Sequence, residues 1–114
     1  MNGVNTQGEN IADNGGIWVA YLAYRQKLDS INGSDPQLPG LNYTPRQMFW
    51  IAAAHSECAK YLPENLKSRI TVASHSPAEF RVRGPLSNIK EFSEDFNCKI
   101  GSQMNPENKC DIWS

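Results

Sequence analysis

The segment Met48-Phe49-Trp50-Ile51-Ala52-Ala53-Ala54 is apolar on every face once wound into a helix. A helix of that kind has to be covered on all sides. Its start is marked unusually clearly. Thr44 reads as the N-cap, Pro45 as the first helical residue, and Gln47 as the reciprocal partner of a capping box, over a helix at 45–60. Tyr43 and Met48 stand where a hydrophobic staple would pack. In a chain of 114 residues few other elements exist to surround such a helix. The pattern therefore points to covering surface that these residues do not themselves supply.

A second stripe lies earlier. Ile17, Tyr21, Tyr24 and Leu28 recur at helical spacing, with Ile11, Trp18 and Leu22 widening the face, so a helix is expected over 8–28. Gly15-Gly16 inside it costs about 1 kcal/mol per glycine relative to alanine, and suggests a break or a close backbone approach. Residues 29–43 are rich in Gly, Pro, Asn, Asp and Ser and read as a loop. A short helix is expected from Pro63 to Arg69. Phe80-Arg81-Val82-Arg83 alternates and is ended by Gly84-Pro85, which predicts a short strand near 80–83. Asn88 and Glu91 are spaced as a capping pair for a last helix at 88–96.

Charge excludes some partners. Eleven Lys and Arg oppose twelve Asp and Glu, for a net charge of -1. No basic stripe is present, so nucleic acid and anionic membrane surfaces are not expected partners. The longest apolar run is far too short to span a bilayer, so no transmembrane segment is expected. Met1-Asn2-Gly3-Val4-Asn5 has neither the positive charge nor the apolar core of a signal peptide. The three cysteines, Cys58, Cys98 and Cys110, cannot all pair with one another. They are either reduced thiols of a cytosolic protein or thiols with partners elsewhere. Two glycosylation sequons, at Asn32 (Asn32-Gly33-Ser34) and Asn42 (Asn42-Tyr43-Thr44, followed by Pro45), favour the second.

Glu9 and Asp13 stand four apart on the first helix and share a face. One carboxylate of such a pair can bind a metal while the other orients a metal-bound histidine. The plain alternative is two solvated acids near a helix N-terminus, where negative charge is welcome. The surrounding string shifts the balance between the two. Gly8-Glu9-Asn10-Ile11-Ala12-Asp13-Asn14-Gly15-Gly16 closely resembles the glutamate-ligand motif of the neprilysin family (neprilysin and endothelin-converting enzyme-like zinc metallopeptidases). His75-Ser76-Pro77-Ala78-Glu79-Phe80-Arg81 resembles the segment of that family carrying an oxyanion-stabilising histidine and a substrate-holding arginine. The tail also fits, with Phe96-Asn97-Cys98, Gly101-Ser102-Gln103-Met104-Asn105-Pro106 and the C-x-x-W ending Cys110-Asp111-Ile112-Trp113. Leu38-Pro39-Gly40-Leu41 and Cys58 fit as well, so the resemblance runs along nearly the whole chain.

The resemblance implies a mainly α structure. Residues 1–114 would form the C-terminal helical part of the catalytic domain of a thermolysin-like (gluzincin) zinc peptidase, with at most a short strand near 80–83. It implies that Glu9 is a zinc ligand and Asp13 lies behind a ligand histidine. It implies that His75 donates to the oxyanion and Arg81 holds substrate carbonyls. It further implies peptide substrates, one Zn2+ in the complete enzyme, and an extracellular or cell-surface ectodomain of a type II membrane protein. Cys58, Cys98 and Cys110 would each pair with a cysteine upstream. His55 matches no site motif. Three departures stand out. Glu57 occupies a position before Cys58 where the family commonly has an aromatic residue. Ser114 follows the tryptophan. No H-E-x-x-H occurs in these residues, so two histidine ligands and the general-base glutamate would come from a missing N-terminal part of the domain. Taken alone, this chain is then expected to be inactive. The alternatives are an inactive interaction module derived from the family and a plain helical glycoprotein domain.

Overall fold

A computed structural model describes residues 2–33 and 35–112. Ser34 of the first sequon, Trp113 of the tail motif and Ser114 lie outside the described residues. Five helices follow in order: α1 (Gly3–Ser30), α2 (Pro45–Ser56), α3 (Pro63–Val72), α4 (Ala78–Asn88) and α5 (Lys90–Asp95). Among the described residues there is no strand, and a single isolated bridge joins Ser102 and Asn105. The mainly α expectation therefore holds.

Helix α1 starts earlier than its apolar stripe, because Asn2 caps it by accepting from the Val4 N–H at 3.1 Å. Its far end closes through positive-φ residues. Asn32 and Gly33 turn left-handed, and the Gly33 N–H reaches back to the Leu28 carbonyl at 2.7 Å. This is the usual way a helix satisfies its last carbonyls. The Gly15-Gly16 pair does not break the helix, and a Cβ on Gly16 would meet nothing within 4 Å. Tyr21 and Leu28 are buried and Ile17, Trp18 and Tyr24 pack against the core, whereas Leu22 faces outward.

Helix α2 carries the expected capping box, with Gln47 N–H to Thr44 Oγ1 at 3.2 Å and Thr44 N–H to Gln47 Oε1 at 3.0 Å. It ends at Ser56, short of residue 60. Of its apolar run only Trp50 is buried, and Ala52 is exposed. The described residues thus cover this all-apolar run only in part, with Met48, Phe49, Ile51, Ala53 and Ala54 half-buried. Helix α3 extends past Arg69 to Val72 and buries none of its side chains.

The strand expected near 80–83 is instead part of α4. The burial period explains this. Ala78, Val82, Pro85, Leu86 and Ile89 turn inward while Phe80 faces out, which is helical and not alternating spacing. Pro85 is tolerated within the last turn, where its missing N–H forfeits one bond. The last helix also differs from the reading at 88–96. Asn88 ends α4, Ile89 caps α5, and no side-chain cap from Asn88 is made. Asn88 is occupied elsewhere, donating to Asn14 Oδ1 at 2.9 Å and accepting from the Cys110 N–H at 3.0 Å.

The core gathers Tyr21, Trp50, Leu86, Ile89 and Phe92. Tyr21 and Trp50 stack with centroids 4.2 Å apart, and Phe92 meets Trp50 edge-on at 5.8 Å. Asp95 at the end of α5 closes this cluster. Its Oδ2 accepts from both Tyr21 OH (2.9 Å) and Trp50 Nε1 (2.8 Å), and its carbonyl accepts from Gln47 Nε2 (2.8 Å). One carboxylate therefore ties α1, α2 and α5 together. Burial and then the Asp95 hydrogen bond raise the Tyr21 phenol well above its ordinary value.

Candidate active site

One face of α1 presents Thr6, Glu9, Asn10, Asp13 and Asn14, which recur at helical spacing. The segment 75–88 lies along it and meets these residues in order. His75 Nε2 sits 3.0 Å from Glu9 Oε2. Ser76 Oγ donates to Asn10 Oδ1 at 2.8 Å, and Asn10 Nδ2 donates to Thr6 Oγ1 at 3.2 Å. Arg81 grips Asp13 through Nε–Oδ2 (2.8 Å) and Nη2–Oδ1 (2.7 Å), and Asn88 meets Asn14. The four residues singled out in the sequence are thus brought together on a single seam, with α4 as the principal neighbour of α1.

Asp13–Arg81 is the more sheltered of the two pairs, Asp13–Arg81 and Glu9–His75, with side chains 18% and 25% exposed. A bidentate guanidinium–carboxylate pair fixes both planes. Hydrogen bonding of the guanidinium to Asp13 raises the Arg81 pKa above its ordinary value. Burial opposes this, and the charges of Asp13, Glu57 and Glu9 add to it. The Glu9–His75 pair is more open, at 43% and 42% exposed. His75 Nδ1 lies 3.3 Å from Ser74 Oγ. The start of α4 is steadied by Tyr61, whose hydroxyl accepts from the Ala78 N–H at 3.2 Å.

Sequence reasoning missed one partner. Glu57, noted only as a departure from a pattern, places Oε2 3.2 Å from Arg81 Nη1. It stands 24 residues from Arg81 in the chain, so no local spacing could have announced the contact. His55 lies on α2 away from the seam and is exposed. Cys58, Cys98 and Cys110 are all free thiols. Asn32 and Asn42 are both exposed. No helix among the described residues is long and apolar enough to cross a membrane.

A carboxylate open to solvent, a histidine against it and a clamped arginine thus lie along one helical seam. Among the described residues, however, no group of three or more His, Cys, Asp or Glu could hold a metal ion. Of the carboxylates of Glu9, Asp13 and Glu57, that of Glu9 is the most open, and one carboxylate alone does not make a metal site.

The sequence matches the family described as "Peptidase family M13" over residues 1–112. It is 58% identical over 113 residues to "Neprilysin-2" of Drosophila melanogaster, covering 99% of this chain and 14% of that protein. It is 47% identical to human "Neprilysin" and 47% identical to "Endothelin-converting enzyme 1" of Rattus norvegicus, in each case covering 99% of this chain and 15% of the relative. Among solved structures, the "Haemonchus galactose containing glycoprotein complex" superposes with a TM-score of 0.94 at 40% identity, over 99% of this chain and 20% of that one. The chain belongs to peptidase family M13, the neprilysin family of metallopeptidases. It spans 14–15% of the length of these curated relatives.

Proposed function

We propose that this chain supplies part of the centre of a zinc metalloendopeptidase that cleaves small peptides. The observation that carries the reading is the convergence of Glu9, Asp13, His75 and Arg81 on one α1–α4 seam in a member of this family. Glu9 is assigned as one zinc ligand, its carboxylate being exposed on that seam. Zinc, when bound, polarises the scissile carbonyl and activates a water. The other ligands and the general base are assigned to residues outside this sequence. Asp13 orients a ligand histidine and at the same time clamps Arg81. Three of the five Arg81 N–H donors go to Asp13 and Glu57, and the remaining two are assigned to substrate carbonyls. His75, in contact with the proposed ligand, donates to the oxygen on which negative charge develops.

Residues 1–114 alone are then inactive and hold zinc weakly, since a hydrolytic zinc site uses three protein ligands and a water. The free thiols Cys58, Cys98 and Cys110 are assigned partners outside the chain. Asn32 and Asn42 are assigned as glycan acceptors on an extracellular or cell-surface domain. The test uses the complete polypeptide that carries this chain. Glu9→Ala should lose bound zinc, measured by metal analysis, and with it chelator-sensitive cleavage of a fluorogenic peptide. A Glu9→Ala protein that keeps a full equivalent of zinc at wild-type affinity removes Glu9 from the role.

A further inference from the structure

Beside Arg81, a cavity of about 270 Å3 opens between α1, α2 and α4. Its walls are largely apolar, from Ile17, Ala20, Ala53, Val82 and Leu86, and its charged lining is Asp13, Glu57 and Arg81. Apolar walls with a few placed polar groups are what a side-chain pocket requires. The charges do not cancel. Two carboxylates face one guanidinium, and Asp13 takes the guanidinium by the two shorter bonds. Glu57 is held by one longer bond at 3.2 Å and stays 30% exposed.

The position of Glu57 is itself unfavourable for an acid. It is the C-cap of α2, where the helix presents its negative end. A carboxylate there is disfavoured by the helix dipole instead of stabilised by it. The helix terminus and the carboxylate therefore add to a negative potential over an apolar-walled cavity. A long aliphatic stem ending in a cation matches both features.

We propose that this cavity receives a positively charged substrate side chain, lysyl or arginyl, with Glu57 as its counter-ion. The proposal rests on Arg81 binding the substrate backbone as described above, since that places a neighbouring substrate side chain at the cavity mouth. Glu57 then sets which peptides bind, while Arg81 sets how their backbone lies.

The test compares two peptides that differ at one residue, lysine or leucine, placed in turn at each position flanking the scissile bond. Two readouts are taken on the complete polypeptide. One is kcat/KM for each peptide, and the other is Kd for each peptide on the metal-stripped protein by calorimetry. At one position the lysyl peptide should be favoured by roughly five- to tenfold, the size of one partly shielded charge pair. Glu57→Gln should bring that ratio close to one, and Glu57→Lys should carry it below one, in favour of the leucyl peptide. Using the ratio cancels any general effect of disturbing Arg81. Equal binding of both peptides at every position, or a ratio unmoved by Glu57→Gln, overturns the proposal. A lysyl preference in binding that depends on Glu57, without chelator-sensitive cleavage, sustains the pocket and removes the peptidase reading instead.

Discussion

Replacing Asp95 with alanine withdraws one oxygen from two buried donors at once. Tyr21 and Trp50 are each 1% exposed, and both donate to Asp95 Oδ2 at 2.9 and 2.8 Å. A buried donor left without an acceptor costs about 1–3 kcal/mol. Two of them set a range of about 2–6 kcal/mol. The Asp95 side chain is 9% exposed, so water can enter the vacated space and partly serve the donors. The expected loss is therefore about 3–4 kcal/mol. Arg46 adds little, since its nitrogen is 3.9 Å away and its side chain is half exposed. Asp95→Asn is the discriminating variant. An amide oxygen in the Oδ2 position can keep both bonds and forfeits only the charge on the acceptor, for a loss of about 1–2 kcal/mol. The measurement is equilibrium urea denaturation of the 114-residue chain, followed by tryptophan fluorescence and checked for a constant m-value. If Asp95→Ala proves too unstable to fold, Asp95→Asn and Tyr21→Phe still report the series. An asparagine variant as damaging as the alanine variant would refute acceptor geometry as the cause. A loss below about 1 kcal/mol for alanine would refute the burial of the two donors as its cause.

Other outcomes follow from the same contacts. Because the Tyr21 phenol is raised above its ordinary value of 10.0, the stability it lends is complete below about pH 10 and lost as pH rises through the folded value. Wild type should lose stability above pH 10 more steeply than Tyr21→Phe, by up to about 1.4 kcal/mol per pH unit. In the complete polypeptide His75→Ala should leave zinc content unchanged and lower kcat by about 10²–10³. Asp13→Ala should weaken metal binding or activity by about 10- to 100-fold. It should also raise KM by releasing the Arg81 fork, which Asp13→Asn should partly restore. Disulfide mapping should find Cys58, Cys98 and Cys110 joined to cysteines outside this sequence, and a Cys98–Cys110 bond would contradict the assignment.

The parts of the fold that were legible in the sequence are those that depend on near neighbours. Thr44, Pro45 and Gln47 specify the start of α2 within four residues, and the structure makes both hydrogen bonds of the box. Helix α4 was not legible, because four residues at 80–83 alternate by chance and Gly84-Pro85 looks like a terminator. The true period needs Ala78, Leu86 and Ile89, and only packing on α1 selects it. Asn88 was misread for a related reason. A capping side chain was expected to serve its own helix, but a tertiary partner on α1 claims it. The candidate site was legible as a set of motifs, while its arrangement was not. Nothing local ties His75 to Glu9 or Glu57 to Arg81, since those contacts exist only once α2 and α4 have found α1.

The side chains that join α1 to the segment 75–88 form a ladder of unlike rungs: acid with imidazole, amide with hydroxyl, acid with guanidinium, amide with amide. Glu9-Asn10 and Asp13-Asn14 repeat one acid–amide pair four residues apart, so no single rung fixes the register. Sliding α1 by a turn, about 5.4 Å, in one direction would still offer His75 an acid and Ser76 an amide, but would set Arg81 against Ile17 and Asn88 against Trp18. In the other direction Arg81 and Asn88 would find an acid and an amide, and His75 and Ser76 would lose theirs. Only the four rungs together exclude both slides. The spacing between the exposed acid at position 9 and the arginine at position 81 is therefore gauged by the whole ladder and not by the two residues themselves. Changes in the connecting loops can be absorbed at the ends of the helices without re-setting that gauge.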